Sequence, residues 1–289
     1  MASRLERIGL SPDNTRHVTI TNSIAITVTV TVLVAIVIAV RAFVPIGVDW
    51  QGTFATLPDV WRNPYANEMF TNPPWIIALL PHAWLPLSWG NAINFVLNIA
   101  IISALIIRYK GGVVAFLLTF TSPMMIELLR TGNVDWIPAL AFLLPPMWGL
   151  PLLFIKPQVL GGAALIWWKR SGYSIRMFVP LVILLLISIA IWGLWMTVGG
   201  LPDQAFWWNF APFPLGIPLG IYLLVRAFRE DDEIMAAGST AFLVPYFASY
   251  SLVPLMALLS TRYPRAAFVL YIGFWWFLVV HMRRFGTEL

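Results

Sequence analysis

The sequence predicts an all-α integral membrane protein: a polytopic helical bundle of about eight net crossings with short proline-broken helices between them. Three observations predict it. Sixty per cent of the 289 residues are hydrophobic and 11% are charged, whereas a soluble domain carries about 25% charged residues. Mean hydropathy is +0.81, so the chain lacks the polar residues to coat a water-facing surface. The apolar runs are about 16 to 25 residues long and do not alternate, which selects helices over a closed barrel. Those are the two structures that satisfy backbone hydrogen bonds in lipid.

No cysteine is present, so disulfides and thiolate metal sites are excluded. The net charge of +5 lies mainly in short loops and termini, and the positive-inside bias explains it without nucleic acid. Fifteen Trp residues suit interfacial belts and leave some to line a cavity.

Taken in order, residues 1–21 are polar, carry Arg4, Arg7 and Arg16, and lack the apolar core of a signal peptide. They read as the cytoplasmic N-terminal segment of a single transmembrane domain, 1–289. Residues 22–46 form an uncleaved first span. The loop at 47–73 then lies on the outer face and is the richest polar stretch between spans. It offers Asp49, the aromatics Trp50, Phe54, Trp61, Tyr65 and Phe70, and the dipeptide Asn63-Pro64. Thr53 to Trp61 is expected to form a short amphipathic helix, stopped by Asn63-Pro64.

Residues 74–107 are apolar over about 34 positions, more than one crossing needs. Pro81, Pro86 and Ser88-Trp89-Gly90-Asn91 interrupt them. The expectation is a short broken element followed by a full helix from Asn91 to Ile107, with Arg108, Tyr109 and Lys110 in the cytoplasm. Residues 113–129 cross outward to a second polar cluster of Glu127, Arg130, Thr131, Gly132, Asn133 and Asp135. Residues 136–168 are again broken by prolines (138, 145, 146, 151 and 157), contain Lys156, and are followed by Lys169, Arg170 and Arg176.

Residues 177–200 cross outward, and the outer loop 201–212 carries Asp203 and Phe206-Trp207-Trp208. Residues 213–228 return to a charged cytoplasmic turn, Arg226 to Glu233, in which Glu230 to Glu233 is expected as a solvated face. Residues 234–259 and 266–282 are the last spans. His281, Arg283 and Arg284 place the C-terminus inside, so both termini are cytoplasmic in a cell-membrane protein.

Each candidate for chemistry has two readings. Asp49 is either a solvated loop carboxylate or a general base or cation ligand. Glu127 and Arg130 form either a local ion pair at (i, i+3) or, through Arg130, a phosphate contact. Lys156 within apolar sequence, costly unless it snorkels or has an anionic partner, either snorkels or meets a phosphate near the outer membrane interface. Phe206-Trp207-Trp208 is an interfacial belt or a sugar-stacking platform. No P-loop, metal-spaced His pair or nucleophile elbow is present; a divalent cation is left open.

The order of these features resembles the GT-C glycosyltransferases, closest to the bacterial, mannosyltransferase-like family 87. That family has an Asp heading the first outer loop, a Gly-x-Pro-Tyr segment, a Tyr-Pro-Pro opening the next span, a Gly-Gln-x-Asn and a Lys-Pro. The corresponding places are held here by Asp49, Arg62-Asn63-Pro64-Tyr65, Asn72-Pro73-Pro74, Gly132-Asn133-Val134-Asp135 and Lys156-Pro157. The family's late Trp-Asp-His-Tyr-like segment is reduced to Tyr246-Phe-Ala-Ser-Tyr250. The resemblance implies sugar transfer from a polyprenyl-phosphate donor to an acceptor hydroxyl on the outer face. Asp49 is then the base, and Lys156, Arg130, Asn133, Asp135, Tyr65 and Trp50 bind substrate. Two other readings stay open: a transporter of lipid or solute, and a non-catalytic subunit with membrane-protein partners.

Overall fold

The computed structural model describes residues 29–197 and 209–285, with side chains to 280. The readings on the N-terminal arginines, Asp203, Phe206-Trp207-Trp208 and the cations after 280 lie outside the described residues. Among the described residues every regular element is helical. The chain parts into two units, Met1–Val44 and Pro45–Leu289.

In the first unit, helix α1 runs Thr29–Phe43. It is built from β-branched residues that would weaken a helix in water. In lipid the helix is enforced, because each backbone N–H must find an internal carbonyl. Its Val30, Val32, Leu33, Ile36 and Ile38 side chains are exposed.

The second unit opens on a π-helical turn, Trp50–Phe54, and a four-residue α2, Leu57–Val60. The single amphipathic helix expected over Thr53–Trp61 is therefore two pieces. The Asn67 amide donates to the Gly52 carbonyl at 2.8 Å, occupying the acceptor that residue 56 would use in a continuing α-helix. Pro58 then restarts the helix in its first turn.

Two 3₁₀ turns, Pro74–Leu79 and Pro81–Trp84, form the broken element. Helix α3, Leu87–Arg108, follows. It begins before Asn91, because Ser88-Trp89-Gly90 continues the helix instead of breaking it. Gly90 is needed for a close approach: a Cβ there would lie 2.6 Å from the His82 carbonyl and 2.8 Å from the Trp50 ring.

Helices α4, Val113–Phe120, and α5, Pro123–Thr131, meet at a bend of 57°. Pro123 has no N–H to give the Thr119 carbonyl, which accepts from the Ser122 hydroxyl at 2.8 Å instead. The same Ser122 oxygen caps α5 by accepting from Met125 N. After 135 the chain is cut into α6 (Trp136–Ala141), α7 (Pro146–Leu153), α8 (Pro157–Leu160) and α9 (Ala163–Arg170); Pro145, Pro146 and Pro157 stand at the breaks, while Pro138 and Pro151, also expected to interrupt, lie within α6 and α7. The remaining helices are α10 (Val179–Trp192), α11 (Ile217–Glu230), α12 (Glu233–Leu243), α13 (Val253–Arg262) and α14 (Pro264–Phe285). A 3₁₀ turn, Ser249–Leu252, joins α12 to α13.

Among the described residues, two segments are long and apolar enough to cross a membrane, Leu87–Arg108 and Ile175–Trp192, or three if α4 and α5 form one bent span. About 20 residues are needed to cross the hydrocarbon core. Prolines break several of the other described stretches into helices well below that length. The composition and these spans make this a membrane protein.

One end of the second unit is closed by a polar clasp. Glu233 Oε1 accepts from Tyr109 OH at 2.6 Å, and Oε2 accepts from Trp167 Nε1 at 2.7 Å and Arg170 Nη1 at 2.6 Å. Asp232 caps α12 and accepts from Tyr263 OH. Arg170 also bonds Asp231, which holds that carboxyl below its ordinary range. The turn at 230–233 is thus not simply a solvated face: Glu233 ties the ends of α3, α9 and α12 together. Replacing it, Glu233→Ala, leaves three donors without their acceptor. A loss of about 2–3 kcal/mol is expected in denaturant titrations of the protein in mixed micelles.

Candidate functional site

The site is assembled from one face of α3. Asn91, Asn94 and Asn98 follow at i, i+3 and i+7, a spacing that aligns them on a helix, and all three are buried. Asn91 Oδ1 accepts from Gly47 N at 3.1 Å and its Nδ2 donates to Pro45 O at 3.2 Å. Asn94 Nδ2 donates to Gly132 O at 2.7 Å and its Oδ1 accepts from Trp136 Nε1 at 3.0 Å. Asn98 Nδ2 donates to Asn133 O at 2.8 Å and its Oδ1 accepts from Trp136 N at 3.1 Å. Three amides thereby satisfy irregular backbone that would otherwise be buried unpaired.

The two loops held this way touch at a pair of glycines. A Cβ on Gly47 would lie 2.5 Å from the Thr131 carbonyl, and one on Gly132 would lie 2.9 Å from Trp50 Cβ. Gly132 also closes α5 in the left-handed region, with φ +69°. No side chain fits at either point, and their contact brings Asp49 against Asn133.

Asn133 is the junction. Its Nδ2 donates to Asp49 Oδ2 at 2.8 Å and to Tyr250 OH at 3.2 Å. Its Oδ1 accepts from Lys156 Nζ at 2.5 Å and from Val134 N at 2.8 Å. One amide thus offers its positive edge to an acid and its negative edge to a cation. Lys156 stands just before Pro157, in a conformation outside the helix. Its ammonium also pairs with Asp135 Oδ1 at 2.9 Å and lies 5.5 Å from the centre of the Tyr250 ring.

Lys156 is 6% exposed and Asp135 0%, so Lys156 does not snorkel; it has the anionic partner. Removing either member would strand the other charge, at a cost of about 3–5 kcal/mol.

The other expected site residues fall elsewhere. Arg130 is exposed at the end of α5. Glu127 accepts a short hydrogen bond from the Ser249 hydroxyl instead of closing an ion pair with Arg130. Tyr65 donates its hydroxyl to Asn72 O at 2.9 Å and stacks on Trp195; burial pushes its phenol pKa up. Trp50 is buried and stacks on His82 at 5.0 Å between ring centres. Tyr65 and Trp50 are therefore buttresses of the loop. A cleft of about 420 Å³ lined by Pro58, Asp59, Trp61, Arg62 and Asn63 opens on the same loop and shares no residue with the Asp49 cluster. Among the described residues, no three His, Cys, Asp or Glu side chains are grouped to hold a metal ion.

Sequence reasoning missed Asn94, Asn98 and Tyr250. The signal for the first two was present: asparagine recurring on one face of an otherwise apolar span, where a bare amide is costly unless it is bonded. No protein-family model, curated protein or solved structure matches this chain.

Two outcomes are expected in denaturant titrations. Asn98→Leu orphans the Trp136 amide, leaves the Asn133 carbonyl only a 3.4 Å bond from Asn94 Nδ2, and costs about 1–3 kcal/mol. Lys156→Met costs about 3–5 kcal/mol, and adding Asp135→Leu to it recovers most of that loss, because the stranded carboxylate is gone.

Proposed function

We propose that this chain is a GT-C-like membrane glycosyltransferase, moving a sugar from a polyprenyl-phosphate donor to an acceptor hydroxyl on the outer face. The observation that carries the reading is the Asp49–Asn133–Lys156 chain, a carboxylate and an ammonium fixed at the two edges of one amide. An inverting transfer uses those two charges. The acceptor oxygen attacks the anomeric carbon and Asp49 takes the hydroxyl proton. The bond from that carbon to the phosphate oxygen breaks, and the phosphate leaves with the electron pair. Arg130, exposed nearby, and Lys156 relieve the charge on the leaving phosphate.

The placement of charge supports the proposed orientation. Asn91, which holds Gly47 near Asp49, and Tyr109, which holds Glu233, lie at opposite ends of α3. Eighteen residues of helix separate them by about 27 Å, close to the hydrocarbon thickness of about 30 Å. Arg108, Lys169, Arg170 and Arg262 gather at the Glu233 end. Under the positive-inside bias that end faces the cytoplasm and Asp49 faces outward. The bundle of about eight crossings belongs to the same proposal, with the proline-broken helices lining a groove, where irregular backbone is tolerated.

One observation favours a second reading. A buried Lys–Asp pair among broken helices is also what a transporter uses to carry charge or substrate through the membrane. Flux through proteoliposomes, with no sugar transfer, selects that reading.

The test of the first is transfer from polyprenyl-phosphate hexoses by purified protein in liposomes. Asp49→Asn, folded as wild type, is expected to lose about 10²–10⁴-fold in kcat. Arg130→Ala is expected to lower kcat as well as raise KM for the donor, because the charge developing on the leaving phosphate loses a partner. Full activity of Asp49→Asn contradicts the assignment.

A further inference from the structure

The 3₁₀ turn Ser249–Leu252 reaches all three acids of the site with three consecutive side chains. The Ser249 hydroxyl donates to Glu127. The Tyr250 phenol oxygen accepts from Asn133 Nδ2 at 3.2 Å and is within hydrogen-bonding reach of the Asp49 carboxylate. The Ser251 hydroxyl stands beside Asp135. A helix with three residues per turn fans successive side chains about 120° apart, which is how adjacent residues find partners on three different elements. The turn is seated on α5, and Ser249, Ser251 and Leu252 are buried.

We propose that Ser249-Tyr250-Ser251 is a strap that sets the charge pattern of this site, with Tyr250 as the positioning residue for Asp49. The phenol oxygen already accepts from Asn133, so its own O–H is free to donate to the Asp49 carboxylate. That bond aims the carboxylate, while the ring of the same residue lies beside the Lys156 ammonium. The strap is a positioning element for Asp49 and rests on the transferase reading only for what Asp49 does in a reaction; the positioning stands without it. Among the described residues, the charged or titratable groups facing Asp49 are Glu127 from α5, Asp135, Tyr246 and Tyr250, with Arg130 beside Glu127 and Lys156 joined through Asn133. Tyr250 is the one that meets Asn133, Lys156 and Asp49 together.

The experiment is carbodiimide labelling of the full-length protein in nanodiscs across pH, read at Asp49 by mass spectrometry. Carbodiimides modify the protonated carboxyl. Losing a donor to the carboxylate favours protonation, so Tyr250→Phe is expected to move the labelling midpoint of Asp49 upward by about 0.5–1 pH unit. Tyr250→Leu, which also removes the ring from Lys156, is expected to move it at least as far. A Tyr250→Phe profile that overlays wild type overturns the proposal, whatever happens to thermal stability. Should Tyr250→Phe not fold, Ser249→Ala loosens the same turn one residue away; its midpoint must rise, and an unmoved midpoint overturns the strap. A shifted profile in a protein that transfers no sugar keeps the strap and removes the transferase reading. An unmoved profile in an active enzyme does the reverse.

Discussion

A lysine ammonium that is almost wholly withdrawn from water has to be answered by an anion, and the fold around Lys156 is arranged to supply one. Asp135 pairs with it directly and Asn133 extends the pairing to Asp49. Both partners come from the same short loop between α5 and α6. That loop has no regular hydrogen bonding of its own, so α3 supplies it through Asn94 and Asn98. The ion pair is therefore not an isolated contact. It fixes the loop, the loop fixes Asn133, and Asn133 fixes the carboxylate of Asp49. By itself a buried ion pair is weak evidence for stability, since desolvation offsets much of the attraction. Its stronger consequence here is specificity of arrangement, because other positions of the loop would leave one charge unmet.

Two polar assemblies bracket the apolar body. At one end the asparagine ladder, the Gly47–Gly132 contact and the Lys156 pair build the Asp49 site. At the other, Glu233 draws together Tyr109, Trp167 and Arg170. The stretch of α3 between them is almost entirely apolar. Polar groups buried within lipid reach are costly unless bonded, and nearly all of those described above are bonded. Asp135 Oδ2, buried with no acceptor-quality hydrogen bond, is an exception; the neighbouring Ser251 hydroxyl is its nearest relief.

The helical membrane class was legible in the sequence because composition alone excludes a water-facing surface. Some breaks were legible: Pro145, Pro146 and Pro157 each open a helix or stand at its cap where they were expected to interrupt, whereas the bend at Pro123 falls inside residues 113–129, expected as one crossing. What the breaks become was not legible. Whether Thr53–Trp61 stays one helix depends on the Asn67 amide, fifteen residues from the carbonyl it captures. Asp49 and Lys156 were picked from local character, a polar residue where lipid or a helix end made it expensive, and Asn133 and Asp135 from a polar cluster and the resemblance of Gly132-Asn133-Val134-Asp135 to a family motif. Their convergence depends on contacts across 84 positions between Asp49 and Asn133 and 117 between Asn133 and Tyr250. Asp135 was read as a substrate contact and is the wholly buried counter-ion of Lys156. Glu233 was read as solvated because its charged neighbours are, and the three donors that bury it come from distant helices.

The central claim, that Asp49, Lys156 and Arg130 surround a phosphate-bearing lipid, is tested most directly by a density map of the protein in lipid nanodiscs with a polyprenyl-phosphate sugar added. The account predicts phosphate density within about 4 Å of the Arg130 or Lys156 nitrogens, with the Asp49 carboxylate facing the sugar. A map in which Asp49 turns to bulk solvent, Lys156 stays enclosed by Asp135 and Asn133, and side chains fill the space between would contradict it.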